Sequence, residues 1–333
     1  MKQILNDLDN IVSDSFSGMT GAYRKVYEPI GDLTALRYRQ RRKEKVSIVI
    51  GGGSGHEPMT SGFVGKGLAD AAVCGQVFAP PKPHAIYETA KAVDEGQGVL
   101  FIHGCYAGDN FNFQAAANWC AADGIQTACI KVWDDCSSAP KERIQDRRGI
   151  AGFLFVLKIA GAACDMGLTL PEVVRITQKA RDSVNTIAIA TSAGTLPGTD
   201  RPMFEMSDGA VEYGMGIHGE PGMEQIQMQP AEALVKRMCR DLRQEMDLHR
   251  GDEIAVLTNG LGATTLLELY TVYYDLQRIM EEEGIRIYDA DVNSYSTCQE
   301  MRGFSISFLK MDEELKPFYD APCASPYYVK GLF

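Results

Sequence analysis

Short apolar runs alternate with helical patterns through the first half of the chain. Compact β-branched runs, bounded by turn residues or by a helical pattern, predict buried strands at 46–50, 99–102, 127–132 and 186–190. Apolar positions at helical spacing predict helices at 84–95, 113–122, 150–166 and 170–183. The last of these helices starts with a capping box, Thr169-Leu-Pro-Glu172. This alternation predicts an α/β domain with a mostly parallel sheet.

The second half of the chain predicts a strand at 253–258, a tight turn at 259–262 and a long helix at 263–283 that Gly284 ends. Two further strands are predicted at 285–288 and 305–309.

Together these patterns predict two α/β domains, at 1–184 and 185–333. The first is expected to be a three-layer sandwich with a mostly parallel sheet, and the second to contain a mixed sheet. Within the second domain, residues 191–222 are rich in Gly, Pro and Met and lack periodicity. Ordered loops of that length are usually functional, so a site is expected there.

The overall charge argues against nucleic acid as a partner. The formal net charge is -11 and the sequence pI is about 5.0, which repels phosphate backbones. The basic run 37–45 is the exception, and we interpret it as a solvated stretch leading into a strand.

The sequence also predicts a cytoplasmic protein with no membrane span. Its start has no signal-peptide layout, and no apolar stretch approaches the ~18 residues that a span needs. The nine cysteines are widely spaced and form no C-x-x-C pair, so neither a zinc site nor a disulfide framework is predicted. Free, mostly buried thiols are expected instead.

The strongest local motif is Gly51-Gly-Gly-Ser-Gly-His-Glu-Pro58, directly after a predicted strand. Glycines allow sharp turns and bring backbone N–H groups close to a ligand, and strand-end loops bind ligands in open α/β sheets. This motif matches neither G-x-G-x-x-G nor a P-loop, so no ATP site is predicted in the chain. Its His56 either contacts a ligand or hydrogen-bonds its own turn.

Three other polar residues lie in glycine-rich segments. Asp109, just past another strand, is either a helix N-cap or a reactive carboxylate. His218 lies in Gly214-Met-Gly-Ile-His-Gly-Glu-Pro-Gly222, where a ligand has room to reach its imidazole. His103, at a strand end close to Asp109, is a candidate supporting residue.

Together these motifs resemble the dihydroxyacetone kinase family, specifically its ketose-binding K subunit. The resemblance covers nearly the whole chain, with many segments in the family's order. They are GGGSGHEP (51–58), GFVGKGLADAAVCGQVFA (62–79), GDNFNF (108–113), RRGIAG (147–152), KIAGAA (158–163), YGMGIHGEPG (213–222), NGLGATTLLELY (259–270) and GFSISFLK (303–310).

The resemblance implies a role for each site residue. His218 would bind the substrate carbonyl covalently, and His56 and Asp109 would act on the sugar hydroxyl. The glycine loop would bind substrate through Gly53, Ser54 and Gly55, and the strand end would do so at the position of Gly104. It also implies a homodimer and no cofactor in this chain, because ATP or ADP with Mg belongs to a separate helical L subunit. That subunit exchanges ATP or is recharged by a phosphotransferase system.

One departure from the family pattern concerns the substrate. Where the family usually has a substrate-contacting lysine and an asparagine, this chain has Gly104 and Cys105. The lost lysine leaves space, so we hypothesise a larger substrate such as a four-carbon ketose, for example erythrulose. Alternatively, His103 supplies the lost hydrogen-bond donor and the substrate is unchanged.

Two other functions compete with the kinase subunit. A non-catalytic ketose sensor would need only His218 and a pocket, whereas catalysis also needs Asp109 and His56, and all three are present. A nicotinamide oxidoreductase built on the glycine loop lacks the fingerprint spacing and a convincing acidic residue about twenty positions on. The sequence therefore favours the kinase subunit.

Overall fold

The computed structural model describes residues 3–331. Its helices are α1 (Ile11–Ala22), α2 (Pro83–Val93), α3 (Ala107–Ala122), α4 (Phe153–Asp165), α5 (Leu170–Asp182), α6 (Ala231–Met246), α7 (Leu266–Glu283) and α8 (Lys316–Asp320). Its strands are β1 (Tyr27–Pro29), β2 (Ala35–Tyr38), β3 (Ser47–Ser54), β4 (Ala71–Val77), β5 (Val99–Gly104), β6 (Thr127–Val132), β7 (Val184–Ser192), β8 (Ala210–Tyr213), β9 (Glu224–Gln227), β10 (Glu253–Gly260), β11 (Arg286–Asn293), β12 (Arg302–Lys310), β13 (Cys323–Ala324) and β14 (Val329–Lys330).

The chain forms two compact units, each built from separate stretches of sequence. Unit N contains 3–132, Phe155–Ala180 and 314–331. Unit C contains Trp133–Leu154 and Arg181–Glu313. The predicted boundary between residues 184 and 185 falls near one of the four points where the chain changes unit. The predicted domains are two continuous stretches of sequence, whereas each observed unit combines several stretches. The predicted domain boundary therefore stays a prediction.

Unit N is organised around a six-stranded sheet with the order β1-β2-β4-β3-β5-β6. Strand β3 pairs in parallel with β4 and β5, and β5 pairs in parallel with β6. The antiparallel pairs of this sheet are β1 with β2 and β2 with β4. All of β5 and residues 47–51 of β3 are buried, as expected for a parallel sheet covered on both faces. The predicted mostly parallel sheet is confirmed.

The strand order of unit N creates an opening at one edge of its sheet. From β3 the chain continues to β4 on one side, and β5 then pairs on the other side. Pairing between β3 and β5 stops at Ile50 and Ile102, although both strands continue beyond those residues. Such a switch in strand order is where open α/β sheets bind ligands.

Unit C contains a mixed sheet with the order β11-β10-β12-β7-β8-β9. Only β10 and β11 are parallel, so the predicted mixed sheet is confirmed. Its core gathers buried residues of α6, α7 and the sheet, among them Met238, Leu276 and Phe308. Helix α7 has a capping box formed by Thr265 and Glu268, so it begins later than predicted.

The tight turn predicted at 259–262 is wrong at its start, because β10 continues to Gly260. Asn259 explains the difference. Its side-chain oxygen accepts hydrogen bonds from the N–H groups of Tyr295 and Ser296, at 2.8 and 2.9 Å. The Asn259 amide nitrogen donates to the Ser296 carbonyl at 2.8 Å. Asn259 is therefore a buried strand residue that ties down the segment after β11.

The basic run 37–45 is only partly a solvated stretch. Lys45 is buried, with its Nζ atom 2.9 Å from Asp70 and 3.2 Å from Asp165. Arg41 pairs with Glu95 at 2.7 Å. The end of the run therefore anchors the entry to β3 through ion pairs that the sequence pattern did not reveal.

The state of the cysteines, a metal site and a membrane-spanning helix would each bear on function, and the following statements concern residues 3–331. All nine cysteines are free thiols, five of them buried. Within the same residues, no group of three or more His, Cys, Asp and Glu side chains is arranged to hold a metal ion. Nor does this part of the chain contain a helix with both the length and the apolar character needed to cross a membrane.

Candidate active site

The glycine-rich loop continues directly from β3. Ser54 closes the strand by donating its hydroxyl to the Gly75 carbonyl at 2.8 Å. Gly55 then takes a positive φ of 100°, a conformation that favours glycine. Its N–H donates to both carboxylate oxygens of Glu57, at 3.1 and 3.0 Å. This short turn fixes the direction of His56 between Gly55 and Glu57.

The ring of His56 is held by an aromatic contact. It stacks on Phe78, with ring centroids 4.8 Å apart, and only 4% of the residue is exposed. Phe78 follows β4, the parallel neighbour of β3. Gly53 makes this approach feasible, because a Cβ there would lie 2.8 Å from the Ala79 nitrogen and 3.0 Å from backbone atoms of Phe78. The glycine is therefore required by packing between two strand ends.

Asp109 is the third residue of α3, and it is buried. The N-cap position belongs to Tyr106, whose backbone is extended and whose side chain makes no capping hydrogen bond. The N-cap interpretation of Asp109 is therefore wrong. A carboxyl group in the first turn of a helix lies near the positive end of the helix dipole.

Gly104 is the last residue of β5, and His103 lies beside it in the same strand. The His103 ring stacks on Phe113 at a centroid distance of 4.5 Å, and its Nδ1 atom lies 2.8 Å from the Gly104 carbonyl oxygen. Burial lowers the pKa of His103 to about 4, so the ring is neutral near pH 7.

These contacts decide what His103 can offer a ligand. Because a carbonyl oxygen only accepts, Nδ1 carries the hydrogen and Nε2 of the neutral ring is an acceptor. In this state His103 cannot replace the ammonium donor of a lysine at position 104. Whether the missing lysine changes the substrate stays a prediction.

His218 lies in the loop that joins β8 and β9, an antiparallel hairpin of unit C. The loop is closed at its base, where the Met223 N–H donates to the Tyr213 carbonyl at 2.7 Å. The Gly214 N–H donates to the Ala188 carbonyl at 2.8 Å and fastens the loop to β7. The His218 side chain is 23% exposed, which leaves its ring accessible to a small molecule.

Glu220 orients His218 by two contacts from one carboxylate. Oε2 accepts the His218 backbone N–H at 2.8 Å, and Oε1 lies 2.9 Å from Nδ1 of the ring. Burial opposes ionisation of Glu220, but the interactions with His218 outweigh it and lower the pKa of Glu220 to about 2. A carboxylate that is ionised near neutral pH selects the tautomer with hydrogen on Nδ1 and a lone pair on Nε2.

Sequence reasoning did not single out Glu220, although the signal was present. A carboxylate two residues after a histidine in a glycine-rich turn can fold back onto it, as Glu220 does in Gly-Ile-His-Gly-Glu-Pro. Phe78 was also missed, because its contact with His56 arises from two strands that pair only in the folded sheet.

The predicted site residues divide between the two units. Unit N carries His56 and Asp109 after the neighbouring parallel strands β3 and β5, together with Gly104 and the loop residues Gly53, Ser54 and Gly55. Unit C carries His218. A buried histidine and carboxylate after adjacent parallel strands, beside a switch in strand order, define an α/β protein built to bind a small polar ligand.

The family model described as the Dak1 domain matches residues 17–327, so the chain belongs to that family. The resemblance to dihydroxyacetone kinases noted in the sequence is confirmed. The chain is 40% identical to the dihydroxyacetone-binding subunit DhaK of PTS-dependent dihydroxyacetone kinase 2 from Listeria innocua, covering 98% of this chain and 99% of that protein. It is 35% identical to an L-erythrulose kinase of Pectobacterium atrosepticum, covering 99% of this chain and 57% of that kinase.

Solved structures show the same fold. The dihydroxyacetone kinase of C. freundii in its native form superimposes with a TM-score of 0.91 at 30% identity, covering 99% of this chain and 60% of that one. A dihydroxyacetone kinase operon co-activator, DhaQ, gives a TM-score of 0.90 at 28% identity, covering 95% of this chain and 98% of that one. The chain is therefore similar both to kinases and to an operon co-activator.

Proposed function

We propose that this chain is the ketose-binding subunit of a dihydroxyacetone-kinase-type enzyme and that it holds its substrate as a hemiaminal on His218. One observation carries the proposal: an ionised Glu220 lies 2.9 Å from Nδ1 of an accessible histidine in a glycine-rich loop. That arrangement leaves Nε2, the ring nitrogen that Glu220 does not contact, as the nucleophile.

The addition can be written with all atoms accounted for. The Nε2 lone pair forms a bond to the ketone carbon, and the carbonyl π electrons move to the oxygen. The oxygen takes a proton from solvent, while Nδ1 passes its proton to Glu220, which releases it to solvent. The product is therefore a neutral hemiaminal, and the total number of protons is unchanged. Glu220 stabilises the positive charge that builds on the ring during the addition.

Covalent capture explains how the site would choose its ligand. A ketone forms the N–C bond, whereas a polyol such as glycerol has no carbonyl and cannot form it. An apolar pocket, by contrast, rejects a similar molecule with an added hydroxyl only weakly. The bond also fixes a small flexible sugar, so less orientational entropy is lost in the later transfer step.

Transfer of phosphate would rest on the unit N residues. Asp109 accepts the proton of the terminal hydroxyl as that oxygen attacks the phosphoryl group, and His56 hydrogen-bonds the same end of the sugar. The nucleotide, ATP or ADP with Mg, is carried by a partner L subunit. Phosphate reaches that partner by nucleotide exchange or from a phosphotransferase-system protein.

The glycine at position 104 bears on the size of the sugar, because the family usually has a lysine there. The absent lysine leaves space at the end of β5, and His103 in its neutral state does not supply the missing donor. We propose a four-carbon ketose of the erythrulose type as substrate, in keeping with an erythrulose kinase among the relatives. Rates measured on dihydroxyacetone and on both erythrulose enantiomers test this, and a clear preference for dihydroxyacetone would contradict it.

Intact-mass spectrometry under native conditions tests the hemiaminal directly. Incubation with dihydroxyacetone, D-erythrulose or L-erythrulose should increase the protein mass by the whole ketose, since the addition expels no atom. Glycerol, which lacks a carbonyl, is the control ligand. His218→Ala should abolish the adduct, and His249→Ala, at a 73% exposed histidine, should retain it.

Asp109→Asn separates capture from transfer. The variant should form the adduct as the wild type does and lose phosphorylation with an L-type partner by about 10²–10⁴-fold, the usual contribution of a general base. Normal turnover by this variant would contradict the role of Asp109 as the general base. A wild-type protein that forms no adduct with any of the three ketoses would contradict covalent binding by His218.

A second candidate is a ketose sensor that controls transcription, because a co-activator has the same fold over almost its whole length. A sensor needs the adduct but not Asp109. Turnover with an L-type partner supports the kinase subunit, whereas adduct formation without turnover, together with binding to a regulator, supports the sensor.

The quaternary state and location belong to the same proposal. We expect a cytoplasmic homodimer, by analogy with the family. Analytical ultracentrifugation of the purified chain should give twice the monomer mass, and a monomer at micromolar concentration would contradict this.

A further inference from the structure

We propose that Arg148 is a positioning residue for His218: it connects the buried Asp135 to the histidine loop (214–222) and to the Glu220 carboxylate, and so fixes the imidazole that takes the ketose. The proposal rests on the proposed function of His218. All the residues involved belong to unit C.

One end of this connection is anchored in the interior of unit C. Arg148 Nε donates to Asp135 Oδ2 at 2.8 Å, and the two side chains are 13% and 0% exposed. The backbones are also joined, because the Asp135 N–H donates to the Arg148 carbonyl at 3.0 Å. The Arg148 N–H donates to the Ser138 hydroxyl at 3.0 Å. Asp135 therefore holds the guanidinium of Arg148, and Asp135 and Ser138 hold its backbone.

The other end reaches the start of the histidine loop. An Arg148 terminal nitrogen donates to the Gly214 carbonyl at 3.0 Å, and the Ser137 hydroxyl donates to the same oxygen at 3.1 Å. Gly214 has a positive φ of 85°, and a Cβ there would lie 2.9 Å from Ser137. The loop thus leaves β8 through a glycine that is fixed by Arg148 and Ser137 together.

Gly216 shows that Arg148 also faces the carboxylate that holds His218. A Cβ on Gly216 would lie 2.2 Å from Glu220 Oε2 and 2.5 Å from the Arg148 Nη1 atom. Both charged groups therefore occupy the space that the glycine leaves open. A guanidinium and a carboxylate that border the same glycine attract each other.

These contacts form a continuous path from a buried carboxylate to the nucleophile. Asp135 orients Arg148, Arg148 fixes Gly214 and faces Glu220, and Glu220 holds Nδ1 of His218. Burial raises the pKa of Asp135 to about 6, whereas Arg148 acts in the opposite direction. Because Arg148 acts through Glu220, its loss should alter the tautomer and reactivity of His218 more than the fold of unit C.

Two substitutions of Arg148 test the proposal, with Arg143→Met as the matched control. Arg143 is 67% exposed and pairs with Asp146 at 3.6 Å, on the surface of the same unit. Arg148→Met should weaken adduct formation with dihydroxyacetone and L-erythrulose about tenfold, as expected for loss of a charge-assisted contact. Arg148→Lys should restore part of this affinity, and Arg143→Met should bind as the wild type does.

The imidazole itself provides a readout that a merely structural role would not move. Long-range ¹H–¹⁵N spectra of the ligand-free protein should show His218 with hydrogen on Nδ1 in the wild type and a mixture of tautomers in Arg148→Met. Gly216→Ala should shift the same signals without removing Arg148, because its methyl group displaces the ends of Arg148 and Glu220.

The outcomes separate this inference from the proposed function. If the wild type forms the adduct and Arg148→Met matches it in affinity and tautomer, the positioning role is wrong. If the wild type forms no adduct, the proposed function fails, and the tautomer spectra still decide whether Arg148 acts on His218. A folded Gly216→Ala variant with unchanged His218 signals would also contradict the inference.

Discussion

The two histidine loops of this protein are similar in sequence and differ in how they hold their rings. The loop after β3 reads Gly-His-Glu-Pro and the loop after β8 reads His-Gly-Glu-Pro. In each, a glutamate accepts the backbone N–H two residues before it: Glu57 from Gly55, and Glu220 from His218. Moving the histidine by one position places its ring on an aromatic neighbour in the first loop and on the carboxylate in the second.

Under the proposed function, this difference separates two chemical roles. His56 is buried and stacked on Phe78, an environment that fixes geometry. His218 is more exposed and contacts an ionised carboxylate, an environment that sets which nitrogen carries the proton. A group that guides a hydroxyl needs position, and a group that attacks a carbonyl needs a defined lone pair. The predictions below break each arrangement separately, from the largest expected effect to the smallest.

The largest effect is expected for His56→Asn. Turnover with an L-type partner should fall about 10³-fold, within the usual range for a group that assists proton transfer, while the adduct at His218 is retained. Steady-state kinetics and native mass spectrometry measure the two properties on the same sample. His84→Asn, at a 69% exposed histidine of unit N, should change neither. Loss of the adduct in His56→Asn would show that the two loops do not act separately.

The pH dependence of stability tests whether burial keeps the His103 ring neutral. Because its pKa in the folded state is about 4 and its ordinary value is 6.5, only the unfolded state takes up the proton between these values. The contribution of His103 to the free energy of unfolding should be constant above pH 6.5. It should fall by about 3 kcal/mol as the pH decreases toward 4.

Urea denaturation between pH 7 and 4 measures this contribution as the difference between wild type and His103→Gln. The variant should lose less stability over that interval, whereas His249→Gln, at a 73% exposed residue, should parallel the wild type. Parallel curves for His103→Gln and the wild type would contradict burial of a neutral ring.

Gly53→Ala tests the packing that holds His56. Its Cβ would press on backbone atoms of Phe78 and Ala79, which cannot move as a side-chain end can. We expect a loss of about 2 kcal/mol of unfolding free energy, together with lower turnover. Gly18→Ala is the control, because a Cβ there meets nothing within 4 Å in helix α1. Equal stability of the two variants would show that the approach of Gly53 to Phe78 is not tight.

The smallest effect is expected for Glu220→Gln. The amide retains a hydrogen-bonding shape but loses the charge, so the adduct should weaken about tenfold. Native mass spectrometry across a ketose titration measures it. Glu57→Gln is the comparison in the other loop and should leave adduct affinity unchanged. A larger loss in Glu57→Gln than in Glu220→Gln would reverse the roles assigned to the two carboxylates.

Much of the fold follows from local pattern. Buried β-branched runs and helical spacing predicted β3, β5 and β6 in unit N, β7, β10 and β12 in unit C, and helices α2, α4 and α5. Strands β1 and β2 were missed because their pattern is too brief to show periodicity. The central strand β4 was also missed, because its sequence, Ala-Ala-Val-Cys-Gly-Gln-Val, is not a β-branched run. The end of β10 was misjudged because a buried asparagine, Asn259, occupies a position that normally indicates a turn.

The candidate site was only partly predictable, for a physical reason. Glycine-rich motifs after strands identify His56, Asp109 and His218 because those residues lie where backbone freedom is needed. The partners that orient them come from distant segments: Phe78 through pairing of β3 with β4, and Arg148 through contacts with Asp135 and Gly214. No local pattern contains such contacts, since they depend on sheet order and loop closure.

The parting of β3 from β5 beyond Ile50 and Ile102 has an evolutionary consequence. The early end of this pairing accompanies the strand order, so it does not depend on the side chains that follow the two strands. Under the proposed function, exchange of one of these residues, as at Gly104, would change which sugar is accepted while the sheet is retained. Repeated small exchanges of this kind offer a route by which one ancestral architecture supplies enzymes for several short ketoses.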